Sequence, residues 1–203
     1  MFRRIIFVLV ISLVISHPIK AQKDYKASSS AAIAVSDDEV CALSVARMEK
    51  KYAIKNHLLE TIASVETGLW DYEAQKFVSW PWSINVEGKG YRFDSKDEAV
   101  AEVKRLQKQG ITSIDVGCMQ ISLKFHGESF KSVEEAFDPD ANVEYSAKFL
   151  KKLYDKTGSW KSAAMAYHSK VRSRAEIYKA KLLKRFDEIK VAFLDYHQDL
   201  SLF

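Results

Sequence analysis

The stretch "NHLLETIASVETGLW" carries two glutamates, and one of them, Glu66, stands where an apolar residue is expected. Read as a helix, the segment sets Leu59, Ile62 and Ala63 on one face at spacings of three and four, and Glu66 is the next position of that stripe. Glu60 falls with Thr61 and Ser64 on the other, water-facing side. An ionised carboxylate on an inward face is costly unless it is paired or protonated. The last turn of a helix carries the negative end of the macrodipole, and Leu59, Ile62 and Leu69 offer an apolar setting. Both disfavour the charged form. A carboxyl kept protonated can give its proton to a leaving group, which is general-acid chemistry. The plain alternative is a terminal glutamate that leans into solvent.

Other chemistries find less support. The five histidines form no H-E-x-x-H pattern, and two cysteines are too few for a structural zinc site. No glycine-rich phosphate loop is present, so no metal and no cofactor are expected. Cys41 and Cys118 make an even pair, which in an oxidising compartment predicts a disulfide. It would close a loop of roughly 77 residues, worth on the order of 4 kcal/mol in the chain-entropy view. Two buried free thiols are the alternative.

The elements that must position these residues are mostly helical. Ser36 or Asp37 caps a first helix, and the helix of Glu66 starts behind Asn56 and stops at Gly68. Ser95 with Glu98, and Ser132 with Glu135, are capping boxes, the first opening a helix that ends at Gly110. Pro139 sits in the first turn of a helix that ends at Gly158. A short helix follows Ser159, and "RAEIYKAKLLKRFDEIKVAFLDY" is the last one. Its basic cluster from Lys170 to Arg185 reads as a solvated face, or as a surface for an anionic polymer. Between the helices, "KFVSWPWSINVEGKGYRFDS" is aromatic and β-branched around Gly88 and Gly90, and predicts a β-hairpin or small sheet. The fold class is α+β, mainly α.

The chain has 203 residues, 47% of them hydrophobic, enough for one domain with a real core. "MFRR", the apolar run "IIFVLVISLVIS" and "HPIKAQ" have the layout of a secretory signal peptide, with cleavage after Ala21. An uncleaved anchor is the alternative, although the run falls short of the ~20 residues of a comfortable span. Residues 22–36 read as a flexible lead-in, and 37–203 as the domain. Losing residues 1–21 removes Arg3, Arg4 and Lys20 and no acid, which lowers the formal charge from +4 to +1. That balance makes no case for nucleic acid. The expected location is the periplasm.

Three segments in order complete the pattern: "ETG" at 66–68, "DVGCMQIS" from Asp115, and "AMAYHS" around Tyr167 and His168. With them the chain resembles the lytic transglycosylases of the goose-lysozyme-like group over roughly residues 38–170. It is most similar to a branch with an inserted W-P-W hairpin, D-V-G before the M-Q, and a Y-H-S ending. The resemblance implies a lysozyme-like helical domain with a small β-hairpin insertion, acting on the glycan strands of peptidoglycan. Glu66 would be the catalytic residue, first acid and then base. It would protonate the oxygen between N-acetylmuramic acid and N-acetylglucosamine, then take the proton of the muramic acid's own 6-hydroxyl as a 1,6-anhydro ring closes. One carboxylate then suffices where ordinary glycosidases use two.

The resemblance also implies substrate contacts. Gln120 and Met119 match the family's cleft segment, and Gly117 would let backbone approach the ligand. Tyr167 would hydrogen-bond Glu66 or the scissile region, and Thr67 stands where many relatives carry Ser. Cys118 replaces the usual Leu, in keeping with a disulfide. His168 replaces the usual Asn, and its charge would follow pH. Asp115 reads as a helix cap, a substrate ligand, or a second carboxylate that would make the enzyme a hydrolase. Trp80, Trp82 and Tyr91 suit sugar stacking or hairpin packing equally, with Ser83 and Asn85 as polar candidates. The rival functions are a muramidase acting on the same bond and a non-catalytic peptidoglycan-binding scaffold of an envelope secretion apparatus. The expected state is a monomer, with such secretion machinery as a possible partner.

Overall fold

The computed structural model describes residues 36–72, 76–168 and 171–200. The expected leader, residues 1–21, and all of the lead-in but Ser36 lie outside them. The order is α1 (Asp37–Lys51), α2 (Leu58–Thr67), β1 (Gly68–Asp71), β2 (Lys76–Ser79), β3 (Ser83–Val86), β4 (Lys89–Arg92) and α3 (Lys96–Lys108). Then come β5 (Ile114–Val116), β6 (Ile121–Ser122), α4 (Leu123–His126), α5 (Val133–Ala136), α6 (Pro139–Thr157), α7 (Trp160–His168) and α8 (Arg172–Leu200). No described helix is long and apolar enough to cross a membrane.

Local chemistry sets most boundaries as expected. Ser95 accepts the Glu98 amide, Ser132 accepts the Glu135 amide, and Asp138 accepts the Ala141 amide ahead of Pro139. Gly158 closes α6 in the left-handed conformation. One boundary differs. His57, not Asn56, is the N-cap of α2, and the cap is supplied from another helix: the Glu49 carboxylate of α1 accepts the amides of His57, Leu59 and Glu60. A carboxylate there also suits the positive helix end. Burial nonetheless holds the Glu49 carboxyl above its ordinary range, against the pull of those amides.

The β insertion is larger than one hairpin. β3 and β4 pair antiparallel across a two-residue turn, Glu87–Gly88, both at positive φ, as a tight hairpin requires. β5 joins β3 and β6 joins β5, giving the order β4-β3-β5-β6, while β1 and β2 form a separate ribbon. The "GCMQ" segment is therefore a turn between β5 and β6, with Met119 reaching into the helical core.

Two apolar clusters underlie this. One is helical, built on Val45, Leu59, Ile62, Met119, Val143 and Leu150, and the other joins the sheet to α3 through Trp82, Ile84, Val103, Ile114 and Phe137. The expected disulfide is formed: Cys41 in α1 bridges Cys118 in the β5–β6 turn, Cα–Cα 5.7 Å. Fully buried Asn142 of α6 completes the tie. Its side chain donates to Val116 O and Ala136 O and accepts the Met119 amide.

Candidate active site

Glu66 occupies the last turn of α2, with its side chain 17% exposed. Leu59 and Ile62 of its stripe are fully buried, whereas Leu69 is exposed and contributes no apolar cover. Helix α2 ends in a tight exit. The Gly68 amide donates to Ser64 O, and a Cβ on Gly68 would stand 2.3 Å from that same oxygen, so only glycine fits. Arg92 of β4 donates to the Thr67 carbonyl, which puts a cation at the negative helix end. The polar side of α2 is only partly open to water: the Glu60 side chain is half-exposed as expected, but its two companions are not. Thr61 and Ser64 are buried, and Arg185 of α8 donates to Ser64 Oγ at 3.0 Å.

The partner of Glu66 comes from α8. The Tyr178 hydroxyl donates to Glu66 Oε1 at 2.7 Å. Tyr178 is 3% exposed, and burial, reinforced by the Glu66 charge, pushes its hydroxyl well above its ordinary titration range. It therefore keeps its proton and can donate it to the hydrogen bond with Glu66. His168 at the end of α7 stacks on the Tyr178 ring, centroids 4.3 Å apart and nearly parallel, with Nδ1 3.8 Å from Glu66 Oε1. Sequence reasoning missed Tyr178. The signal was present, since Ala175, Tyr178 and Leu182 make a buried stripe at helical spacing inside the basic run.

Glu66 opens into a groove of about 380 Å³. Asp115 of β5, Gln120 of the turn and Ser122 of β6 line it, facing Phe125, His126, Tyr145 and Phe149, with Tyr167, His168 and Arg174 alongside. Gln120 takes a positive φ, and its Nε2 donates toward Gly117 O and Ser83 O at 3.2 and 3.3 Å. Burial raises the Asp115 carboxyl above its usual range; a Ser122 hydrogen bond opposes this and the Glu66 charge adds to it. A larger recess of about 800 Å³ shares none of these residues and contains neither Glu66 nor Asp115.

The structure thus brings together Glu66, Asp115, Gln120, Tyr167 and His168 in one groove and leaves four expected contacts elsewhere. Thr67 is buried, with its hydroxyl 3.1 Å from both Ala63 O and Cys118 O, so it braces the helix end. Met119 is fully buried in the helical core. Gly117 sits at φ +77°, where a Cβ would meet Asn142 Nδ2 at 2.5 Å; the close approach is to Asn142, not to a ligand. Trp82 is 8% exposed, and its Nε1 donates to Asp37. Trp80 and Ser83 likewise serve the hairpin, donating to Phe93 O and Trp80 O, and Asn85 accepts the Gly88 amide of the turn. Only Tyr91 of that aromatic set is exposed. Tyr167 lines the groove, but its hydroxyl lies 2.9 Å from Ser146 Oγ and 3.3 Å from Met119 O; the role expected of it beside Glu66 falls to Tyr178. No group of three or more His, Cys, Asp or Glu able to hold a metal occurs among the described residues.

A mainly helical α+β domain with small antiparallel sheets, and an acidic helix end opening on a groove, has the lysozyme-like architecture. The chain belongs to the transglycosylase SLT domain family, whose model matches residues 44–182. Members of that family are lytic transglycosylases acting on peptidoglycan. No curated protein and no solved structure matches the chain.

Proposed function

We propose that this protein is an exported lytic transglycosylase that cuts the bond between N-acetylmuramic acid and N-acetylglucosamine, leaving 1,6-anhydro ends. The observation that carries the reading is the hydrogen bond from buried Tyr178 to Glu66, the carboxyl that lines the groove. Tyr178 occupies Oε1, so the transferable proton belongs on Oε2. Glu66 gives that proton to the glycosidic oxygen. The carboxylate that remains keeps the Tyr178 hydrogen bond, which strengthens as charge develops. It then accepts the proton of the 6-hydroxyl, whose oxygen closes on the anomeric carbon. Gln120 and His168 contact the sugars beside this centre. The enzyme works as a monomer in the periplasm, delivered by residues 1–21, and an envelope-spanning secretion apparatus is the assembly its cutting would serve.

A second reading rests on Asp115, which shares the groove and feels the Glu66 charge. Two carboxylates across a sugar are the equipment of a hydrolase. Two variants separate the readings. Glu66→Gln keeps shape but loses the acid, and release of soluble fragments from purified peptidoglycan falls at least a hundredfold with folding retained. Asp115→Asn keeps activity within about tenfold for the transglycosylase. A loss as deep as that of Glu66→Gln favours the muramidase, and full activity in Glu66→Gln overturns both.

A further inference from the structure

The one-turn helix α4 reads "LKFH". Leu123 packs against the sheet-side core. His126, three residues on and on the same side, turns inward, its Nδ1 2.8 Å from the Tyr145 hydroxyl and its ring 5.3 Å from Phe149. Phe125 is thereby directed outward, and it is 75% exposed. Among the described residues its nearest ring neighbour is the edge of His126, centroids 6.5 Å apart, and the Lys124 ammonium stands 5.7 Å from its centroid. Neither covers it. Yet Phe125 lines the same groove as Glu66. From it the aromatic wall continues through His126 and Phe149 to Tyr167, each pair of centroids within 6.5 Å.

We propose that Phe125 is a stacking platform for one pyranose ring of the glycan strand and determines how tightly long strands are held; this rests on the function proposed above. A pyranose presents axial C–H bonds on one face, which are apolar and carry partial positive charge. That face matches the negative face of an aromatic ring. A single exposed phenylalanine means nothing by itself. This one is held at the lip of a groove that contains a buried-donor acid, on a helix whose two inward residues fix its direction. A neutral sugar is the fitting occupant, because the ring offers neither charge nor hydrogen bond to select a peptide.

The test uses the otherwise complete Glu66→Gln protein, which holds substrate without cutting it, and hexasaccharides of alternating N-acetylglucosamine and N-acetylmuramic acid as the probe. Adding Phe125→Ala weakens binding about tenfold by calorimetry, the size of one aromatic contact. Phe125→Trp restores it. In the active enzyme, Phe125→Ala raises KM and leaves kcat within twofold. Binding of Phe125→Ala within twofold of its parent overturns the platform while leaving the proposed reaction intact. If the Glu66→Gln parent binds no glycan and the wild type releases none, the proposed function itself falls, and the platform with it.

Discussion

Tyr178→Phe is the sharpest perturbation of the catalytic centre. It deletes one oxygen, keeps the ring that stacks on His168, and removes the donor to Glu66 Oε1. A hydrogen bond to a charged group is worth about 1.5–3 kcal/mol. Only its excess over the ground-state bond to the neutral carboxyl, about 1–1.5 kcal/mol, acts on kcat, so at about 1.4 kcal/mol per factor of ten the loss lowers kcat about 5- to 10-fold. KM changes little, because the bond strengthens as the carboxylate forms and not when sugar binds. Stability changes little too: Glu66 is 17% exposed and water can replace the lost donor. Turnover of defined glycan oligomers, with a thermal melt of the same sample, measures all three. A kcat within twofold of wild type refutes the role given to Tyr178. A large KM rise with kcat unchanged would instead make Tyr178 a ground-state binding residue.

Three further outcomes follow from the scaffold. Gly117→Ala forces a left-handed backbone and drives a Cβ to 2.5 Å from Asn142, so it destabilises by about 3 kcal/mol, or about 8 °C in a thermal melt. Replacing Cys41 and Cys118 together by Ala frees a 77-residue loop and lowers unfolding free energy by on the order of 4 kcal/mol in urea titration. Glu144 joins α6 to Lys51 and Tyr52 of the α1 end, and the Lys51 hydrogen bond, followed by that of Tyr52, holds its carboxyl down to about 2. A depressed acid contributes stability above its unfolded value near 4.5 and loses it as pH falls through about 2. The stability gap between wild type and Glu144→Gln, of the order of 1 kcal/mol, is therefore full at neutral pH and closes across that acid window.

What the sequence disclosed was whatever is local. The stripe through Leu59, Ile62 and Glu66 is a helical repeat, and the capping pairs at Ser95 and Ser132 span three residues each, so neighbouring residues alone specify them. The Cys41–Cys118 bridge was legible from parity and from the oxidising compartment that the expected leader implies. Tyr178 was not, because it meets Glu66 across 112 residues and only the packing of α8 on α2 makes the contact. The same packing brings Arg185 onto Ser64, which helical phase alone assigns to water. Met119 was expected in the cleft and lies in the core, and Trp82, open between sugar stacking and hairpin packing, packs; a large apolar side chain suits a sugar face and a core equally, and residue type does not say which surface it meets. Glu49 was missed as the cap of α2 because a carboxylate from another helix leaves no mark at the capped site.

The central claim is that one carboxyl, held by Tyr178, transfers a proton twice while the sugar's own hydroxyl displaces the leaving group. The direct measurement is mass spectrometry of the fragments that the purified protein releases from peptidoglycan. Muramic acid ends lacking one water, in the 1,6-anhydro form and absent from the Glu66→Gln digest, are the predicted result. Reducing ends, each heavier by that water, would contradict it.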